Sequence, residues 1–490
     1  MTGTGHGPAQ PVAGRPQEPA GAGAARALGA RIDRLPVWGL SRAFFGVLGL
    51  SFFFAYFDIS AIGVDMAPML ADLHIPLADS GPPVTWGLIG YVGGSAVFGH
   101  LADAIGRRTA LRLSIATLAV GSLLTACSWD LVSVTVFRTL TGFGIGAQIA
   151  VATTLAGELA GRSVRGRTVA LSALGGAVAF VVTPLVGLGL TPFAHTGWRV
   201  VFALGAVSAL LLPFSGDRWL PESPRWLAER GQGARAEETV RRMERTARER
   251  TGGAELPEPV VPVEPAAPVE PVVPVAPGPA AVSGAATASR WSGLRALLTP
   301  RLLRRLVLVF AFWFCWYLTI YGFLGYGPEL LTDLGLSVPE GLLSSAVGNL
   351  GFLAAGLLAP LLIDRVDRRW MILGGGLVSA LGLLLLAGAG QSTASWISLL
   401  VGFGNFLGVT AAYTYTSEIF PTAVRGSAMA VGDGLGHVGG AMAPFLVLPL
   451  LHDFGAGGAF RGLAVVGVAS AVLIAFGVRT HRKSLVELTG

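Results

Sequence analysis

Apolar and polar positions fall in long blocks along this chain, with neither the sustained stripe of a surface helix nor the alternation of a half-buried strand. Mostly apolar runs of about 20 residues, enough to cross a hydrocarbon layer of roughly 30 Å as helices, recur from Phe44 onward. They predict spans over 42–70, 86–105, 109–127, 131–158, 167–191 and 198–217, and then over 305–330, 341–363, 370–389, 396–418, 426–449 and 461–479. Because the runs are continuous, helices are expected and not an outer-membrane barrel. The fold class is an all-α membrane protein with twelve transmembrane helices.

The pattern is doubled. RTLTGFGIGAQIAVATTLAGELAGRSVRGR, opening at Arg138, returns as GFGNFLGVTAAYTYTSEIFPTAVRG. Gly142, Phe143, Gly144, Glu158 and Arg165 correspond to Gly402, Phe403, Gly404, Glu418 and Arg425, each about 260 residues on. Asp103, Arg107 and Arg108 in LADAIGRR reappear as Asp364, Arg368 and Arg369 in LIDRVDRR. Two related six-helix bundles follow, over 37–217 and 305–479. The Gly- and Pro-rich residues 1–36 read as a disordered tail, 218–304 as a linker, and 480–490 as a second tail. Within the linker, Ser223 to Glu249 favours short amphipathic helices, whereas 251–289 is too proline-rich for helix or strand.

Composition narrows the compartment. Charged residues make up 13% of the 490, about half of what a soluble surface needs, so lipid must face much of the chain. The net charge of +6 is not gathered into a nucleic-acid patch. Arginines cluster after the second, fourth, eighth, tenth and twelfth spans, while the opposite loops carry Asp72, Asp79, Asp130, Asp333, Glu340 and Asp453. That bias places both termini in the cytoplasm of a multi-pass plasma-membrane (inner-membrane) protein. No cleavable signal peptide is evident. Cys127 and Cys315 lie in apolar runs and read as core packing residues.

Ionisable groups inside spans carry the candidate chemistry. Asp58, amid FFFAYFDISAIG, is a candidate for proton coupling or polar-substrate binding, the alternative being a structural hydrogen bond. Asp433 and His437, one turn apart, form either a proton relay or polar glue between helices. Tyr56, Gln148, Trp316, Tyr317, Tyr321, Asn349, Asn405 and Tyr413 are the candidate substrate wall. Arg138, expected toward the outer side, and Glu158 close opposite ends of one span. Gating falls to Arg138 and to the charged inner ends: Asp103, Arg107 and Arg108, with Asp364 and Arg368 as their copies, and the latches Glu158–Arg165 and Glu418–Arg425. Static helix-end ion pairs are the alternative for the latches. GFGIGA lacks the preceding strand of a dinucleotide fingerprint, and its glycines read as helix-packing sites.

These motifs, GHLADAIGRR from Gly99, RTLTGFGIGA from Arg138, PESPRWL from Pro221 and SEIFPTAVRG from Ser417, resemble those of the major facilitator superfamily. The resemblance is strongest to its sugar-porter and metabolite–proton symporter branches, with their niacin, inositol, aromatic-acid and synaptic-vesicle-protein-like members. It implies two pseudo-symmetric bundles rocking about a central site, a cytoplasmic gate including Asp103, Arg107, Glu158 and Arg165, proton coupling through Asp58, and a monomer. Two departures stand out: Asp367 replaces Gly106 in the second signature loop, and PESPRWL has no second copy. The hexose-binding stretches of sugar porters are absent, which leaves an organic or aromatic acid, a niacin-like compound, or a polyol.

The expected function is proton-coupled uptake of a small polar metabolite, with proton-driven efflux of an amphipathic compound as the alternative. A non-transporting receptor is a third class. The partners expected are a small molecule, protons and lipid. No enzyme, cofactor or metal reading has a motif behind it.

Overall fold

The computed structural model describes residues 22–193, 196–259, 297–363, 365–421 and 424–479. In the first half, α1 (Ala22–Asp33) precedes α2 (Arg42–Val64), the short α3 (Met66–Asp72), α4 (Gly81–Ile105), α5 (Arg107–Ala126), α6 (Leu131–Glu158), α7 (Arg165–Leu190) and α8 (Gly197–Ala206). The linker holds α9 (Pro224–Glu229) and α10 (Gly233–Arg250). The second half has α11 (Pro300–Asp333), α12 (Val338–Leu362), α13 (Arg368–Leu386), α14 (Gln391–Glu418), α15 (Arg425–Met429), α16 (Leu435–Ala441) and α17 (Ala443–Ala475).

All twelve expected spans are present, with altered edges. The first ends at Asp65, whose backbone leaves the helix, so α3 is a separate turn and not its continuation. The sixth is α8 extended by a 3₁₀ turn over Val207–Leu211. The last two lie within Arg425–Ala475 and are divided at Gly455, where φ is 65° and the backbone leaves the helix. Local chemistry fixes the starts: Ser41 caps α2, Asp130 and Ser133 form a capping box on α6, and Ser337 with Glu340 forms one on α12.

The repeated GFG explains the packing of both bundles. Two residues apart on a helix is about 200° of rotation, so the two glycines face different neighbours. A Cβ on Gly142 would lie 1.9 Å from the Gly87 carbonyl oxygen of α4, and one on Gly144 would lie 2.5 Å from the Leu118 nitrogen of α5. In the copy, a Cβ on Gly402 would lie 2.2 Å from the Gly348 carbonyl oxygen of α12, and one on Gly404 would lie 2.4 Å from that of Gly375 in α13. Only glycine lets α6 and α14 touch two partner backbones at once, which is the packing role their spacing predicted.

Two expectations are corrected. Residues 22–33, assigned to a disordered tail, form α1, whose Leu28 and Ile32, with Leu35 just beyond, are buried against the first half and linker. Arg31 pairs with Glu237 and Glu244, at 2.7 and 2.8 Å, and Arg34 pairs with Glu244 at 2.6 Å. Burial pushes the Glu244 carboxyl up, but hydrogen bonds from Arg31 and Arg34 outweigh it and hold it below its ordinary value. Cys127, expected in the core, is exposed beyond the C-terminus of α5, whereas Cys315 is half-buried.

The halves meet where α2 faces α11, α4 faces α16 and α7 faces α12. On the side away from the linker this seam is tight: Thr85 Oγ1 donates to the Ala441 carbonyl at 2.8 Å, and the Gly63 Cα abuts the backbone of Leu324.

Candidate functional site

Midway along the seam, three rings from both halves stack. His437 of α16 lies 4.2 Å from the ring of Tyr91 on α4, at 21°, and 3.8 Å from that of Tyr317 on α11, at 30°. His437 Nδ1 sits 2.8 Å from the Asp433 backbone carbonyl. A carbonyl only accepts, so Nδ1 carries the proton. The relay expected between His437 and the Asp433 side chain is thus replaced by a backbone hydrogen bond that fixes the ring.

The Asp433 carboxylate points elsewhere. Its Oδ1 accepts from the Tyr317 hydroxyl and, at 2.9 Å, from that of Tyr413, and the two hydroxyls lie 3.1 Å apart. Asp433 occupies a single π-helical turn, Ala430–Gly434, inserted between α15 and α16. Such a turn offsets the helix by one residue and re-aims its side chains, a device found at functional positions. Tyr413 is 40% exposed and Asp433 half-buried, so this end of the cluster is open, toward the ends of α14 and α15 nearer the linker. On the far side of the stack the seam holds a cavity of only about 30 Å³, lined by Tyr91, Arg138, Tyr321 and Leu324 among others. That is room for a water and not for a metabolite.

Asp58 lies inside the first half. Ser122 Oγ donates to its Oδ2 at 2.5 Å, and the Arg138 guanidinium pairs with Oδ1, while its Nη2 reaches the Asp58 carbonyl at 3.5 Å. Asp58 is 1% and Arg138 4% exposed. The Phe202 ring covers the guanidinium at 5.3 Å. Arg138, grouped with the gating residues and expected toward the outer side, is the partner of the coupling candidate.

The substrate-wall candidates divide. Tyr317, Tyr321 and Tyr413 surround the Asp433 cluster, and Tyr56 meets Phe180 edge-on at 5.3 Å beside the seam. The Asn349 amide donates across the seam to the Phe180 carbonyl at 2.6 Å. The Gln148 amide is spent on Ser51, at 2.6 Å to its carbonyl and 2.8 Å to its hydroxyl. Trp316 and Asn405 turn into the second half instead: Trp316 packs against Gly408 and Phe312, and Asn405 donates to Ser379 Oγ at 3.0 Å.

At the linker end the latches are re-paired. Glu158 meets Arg107 at 3.2 Å, and Arg107 also holds Asp103 at 3.0 Å. Arg165, expected to hold Glu158, instead binds Asp33 and, at 3.0 Å, the Gly157 carbonyl. In the second half Glu418 meets Arg368 at 3.2 Å, so the carboxylate expected to latch Arg425 is held from the signature loop in both halves. Asp364 lies outside the described residues. Arg108 pairs with Asp217, and its backbone N–H joins that of Arg107 on the Glu222 carboxylate, at 2.9 to 3.2 Å. Sequence reasoning missed Glu222, Ser122 and Tyr91. Glu222 stands in the quoted PESPRWL motif, which was the one available signal; a serine in α5 and a tyrosine in the glycine-rich α4 gave none.

A doubled six-helix bundle with polar groups gathered at its internal seam is the architecture of a secondary membrane transporter. The family model of the Major Facilitator Superfamily matches residues 48–444, and again 331–488, and the chain belongs to that superfamily. It is similar to YyaJ of Bacillus subtilis, a protein named for metabolite transport, with 29% identity over 93% of this chain and 96% of YyaJ. It is 28% identical to the niacin transporter NiaP of Acinetobacter baylyi, over 93% of this chain and 98% of NiaP. Among solved structures, the xylose transporter XylE from E. coli in a partially occluded inward-open conformation shares the fold, with a TM-score of 0.68 at 19% identity over 90% of this chain and 99% of XylE. These relatives are transport proteins, not enzymes.

Proposed function

We propose that the protein is a secondary active transporter that takes up a small polar metabolite by alternating access, driven by protons, with both termini in the cytoplasm. The observation that carries the proton-coupled reading is the buried Asp58–Arg138 pair. Two opposite charges in a low-dielectric bundle hold each other strongly, and a proton on Asp58 cancels the attraction. The proton enters on Asp58 Oδ1 or Oδ2, frees the guanidinium, and changes how α2 sits against α6. Because α2 also packs on α11, that change bears on the seam beside the Asp433 cluster. Metabolite, niacin and xylose, named for the similar proteins, support a small polar substrate.

The alternation itself rests on the two ends of the seam. Interlocked backbones close it away from the linker, and the carboxylates Glu158 and Glu418 tie each half's signature loop to its own bundle near the linker. Such short-range ties form and break as the bundles rock, without a change in either core.

Proteoliposomes holding a pH-sensitive dye, challenged with panels of organic cations, organic acids and polyols, provide the test. A compound that brings protons in with it, in the wild type and not in Asp58→Asn, is the expected result. Substrate entry that ignores both the gradient and the substitution would refute proton coupling. Accumulation of the compound outside energised cells would reverse the direction.

A further inference from the structure

We infer that the open side of the Asp433 carboxylate selects an organic cation, a flat compound carrying a protonated or quaternised nitrogen, over the acids that the sequence left in play. The inference rests on the transport reading and concerns the charge of its substrate.

Three observations converge. The first is a carboxylate with a free side. Both hydroxyl donors to Asp433 reach Oδ1, and among the described residues no protein group donates to Oδ2. An anion entering here meets a negative charge that two tyrosines hold in place.

The second is that, among the described residues, the cationic groups nearest the cluster are engaged elsewhere or set back from it. The guanidinium lining the seam, Arg138, is committed to Asp58. Arg305 is turned to the Ile419 carbonyl at 2.7 Å, and Arg425 stands about 12 Å back along the helix axis at 1.5 Å per residue. His437 gives its proton to a backbone carbonyl and both of its faces to tyrosine rings. Gln148 gives both amide N–H groups to Ser51, and Asn405 gives both to Ser379 and Val401, while Asn349 gives one to the Phe180 carbonyl. The carboxylate of an acid bound here would face that of Asp433 without a cation to offset it, and like charges at close range repel most strongly where water is excluded.

The third is the wall. Tyr317 is packed between Trp313, at 5.2 Å, and His437, and Tyr413 leans on the same indole at 4.8 Å, so the carboxylate sits in an aromatic surround with the 40%-exposed Tyr413 ring at its open side. Aromatic faces attract cations through their quadrupole, and an aromatic enclosure closed by one carboxylate is suited to an alkylated or protonated nitrogen.

The test uses four probes on the purified full chain at pH 7.5: 1-methylnicotinamide, a fixed cation; nicotinamide, neutral; nicotinate, an anion of nearly the same shape; and myo-inositol. Tryptophan fluorescence reports binding, and counterflow in proteoliposomes reports transport. The expected order is the cation first, at least about tenfold tighter than nicotinate, with Asp433→Asn weakening the cation about tenfold or more and leaving the thermal midpoint in place. If that variant does not fold, the wild-type order decides by itself. Nicotinate or inositol binding more tightly than the cation, or no binding of the cation, overturns the inference. Counterflow of nicotinate or inositol alone would overturn it while sustaining the transport reading. Tight cation binding without counterflow would sustain the site and refute transport.

Discussion

The two halves share one backbone plan and differ in where they keep their charges. In each, a signature-loop arginine, Arg107 or Arg368, binds a carboxylate at the end of the fourth helix of its bundle, Glu158 or Glu418. The helix that follows the loop is capped differently. In the first half Gly106 turns with φ of 97°, and Glu222, from the linker, accepts the backbone N–H groups of Arg107 and Arg108. In the second, Asp367 caps its own helix, accepting from the Arg369 N–H at 2.9 Å. The absence of a second PESPRWL and the replacement of Gly106 by Asp367 are thus one fact: a loop with its own cap needs none from a distant motif. Deeper in, the first half buries Asp58 against Arg138, and the position equivalent to Arg138 is Ser398. The second half instead holds Asp433 and His437 at the seam. Duplication built the frame, and divergence put an internal ion pair on one side and an open carboxylate on the other.

The largest expected effect tests that asymmetry directly. Arg138→Ala leaves a buried carboxylate unpaired and is expected to cost about 3–5 kcal/mol, against under about 1 kcal/mol for Ser398→Ala. Thermal unfolding in detergent compares them, and equal losses would remove the distinction. Next, Glu222→Ala strips the cap from α5 and exposes two orphan N–H groups, at about 1–3 kcal/mol, with Asp367→Ala costing about 0.5–2 kcal/mol. Hydrogen exchange over the first turns of α5 and α13 reads each loss locally; protection lost at α13 when Glu222 is removed would contradict separate capping.

Glu158→Gln and Glu418→Gln should then act alike, each worth about 0.2–1 kcal/mol because the carboxylates are about 20% exposed. Cross-linking across the linker end of the seam should report a similar shift in conformational population for both, and a response from only one would break the symmetry of the gate. The smallest effect concerns α1, which has no described counterpart in the second half. Glu237 and Glu244 are held below their ordinary value of 4.5, Glu237 first by its hydrogen bond from Arg31. A depressed carboxylate contributes stability that is present above its unfolded value and lost as pH falls through its folded one. Proteolysis near residues 22–33 should therefore stay slow at neutral pH and rise only below about 4.5. Cleavage that rises between pH 7 and 5 instead would point to another anchor.

Length and hydropathy alone determined the twelve crossings, because a helix must satisfy its own backbone in lipid and needs a fixed length to do so. The repeat and its GFG pairs were equally legible, since close helix contact admits only small side chains at set spacings. α1 was passed over because its apolar residues are few and widely spaced, although Leu28, Ile32 and Leu35 do follow a helical period. Partner choice belonged to the tertiary structure: Asp58 with Arg138, Glu222 with the α5 terminus, Tyr91 with His437. In water, periodicity marks which face of a helix turns inward. In lipid both faces are apolar, so the pattern does not say which side meets a neighbour, and residues 80 or more apart in sequence find each other only once the bundle has packed.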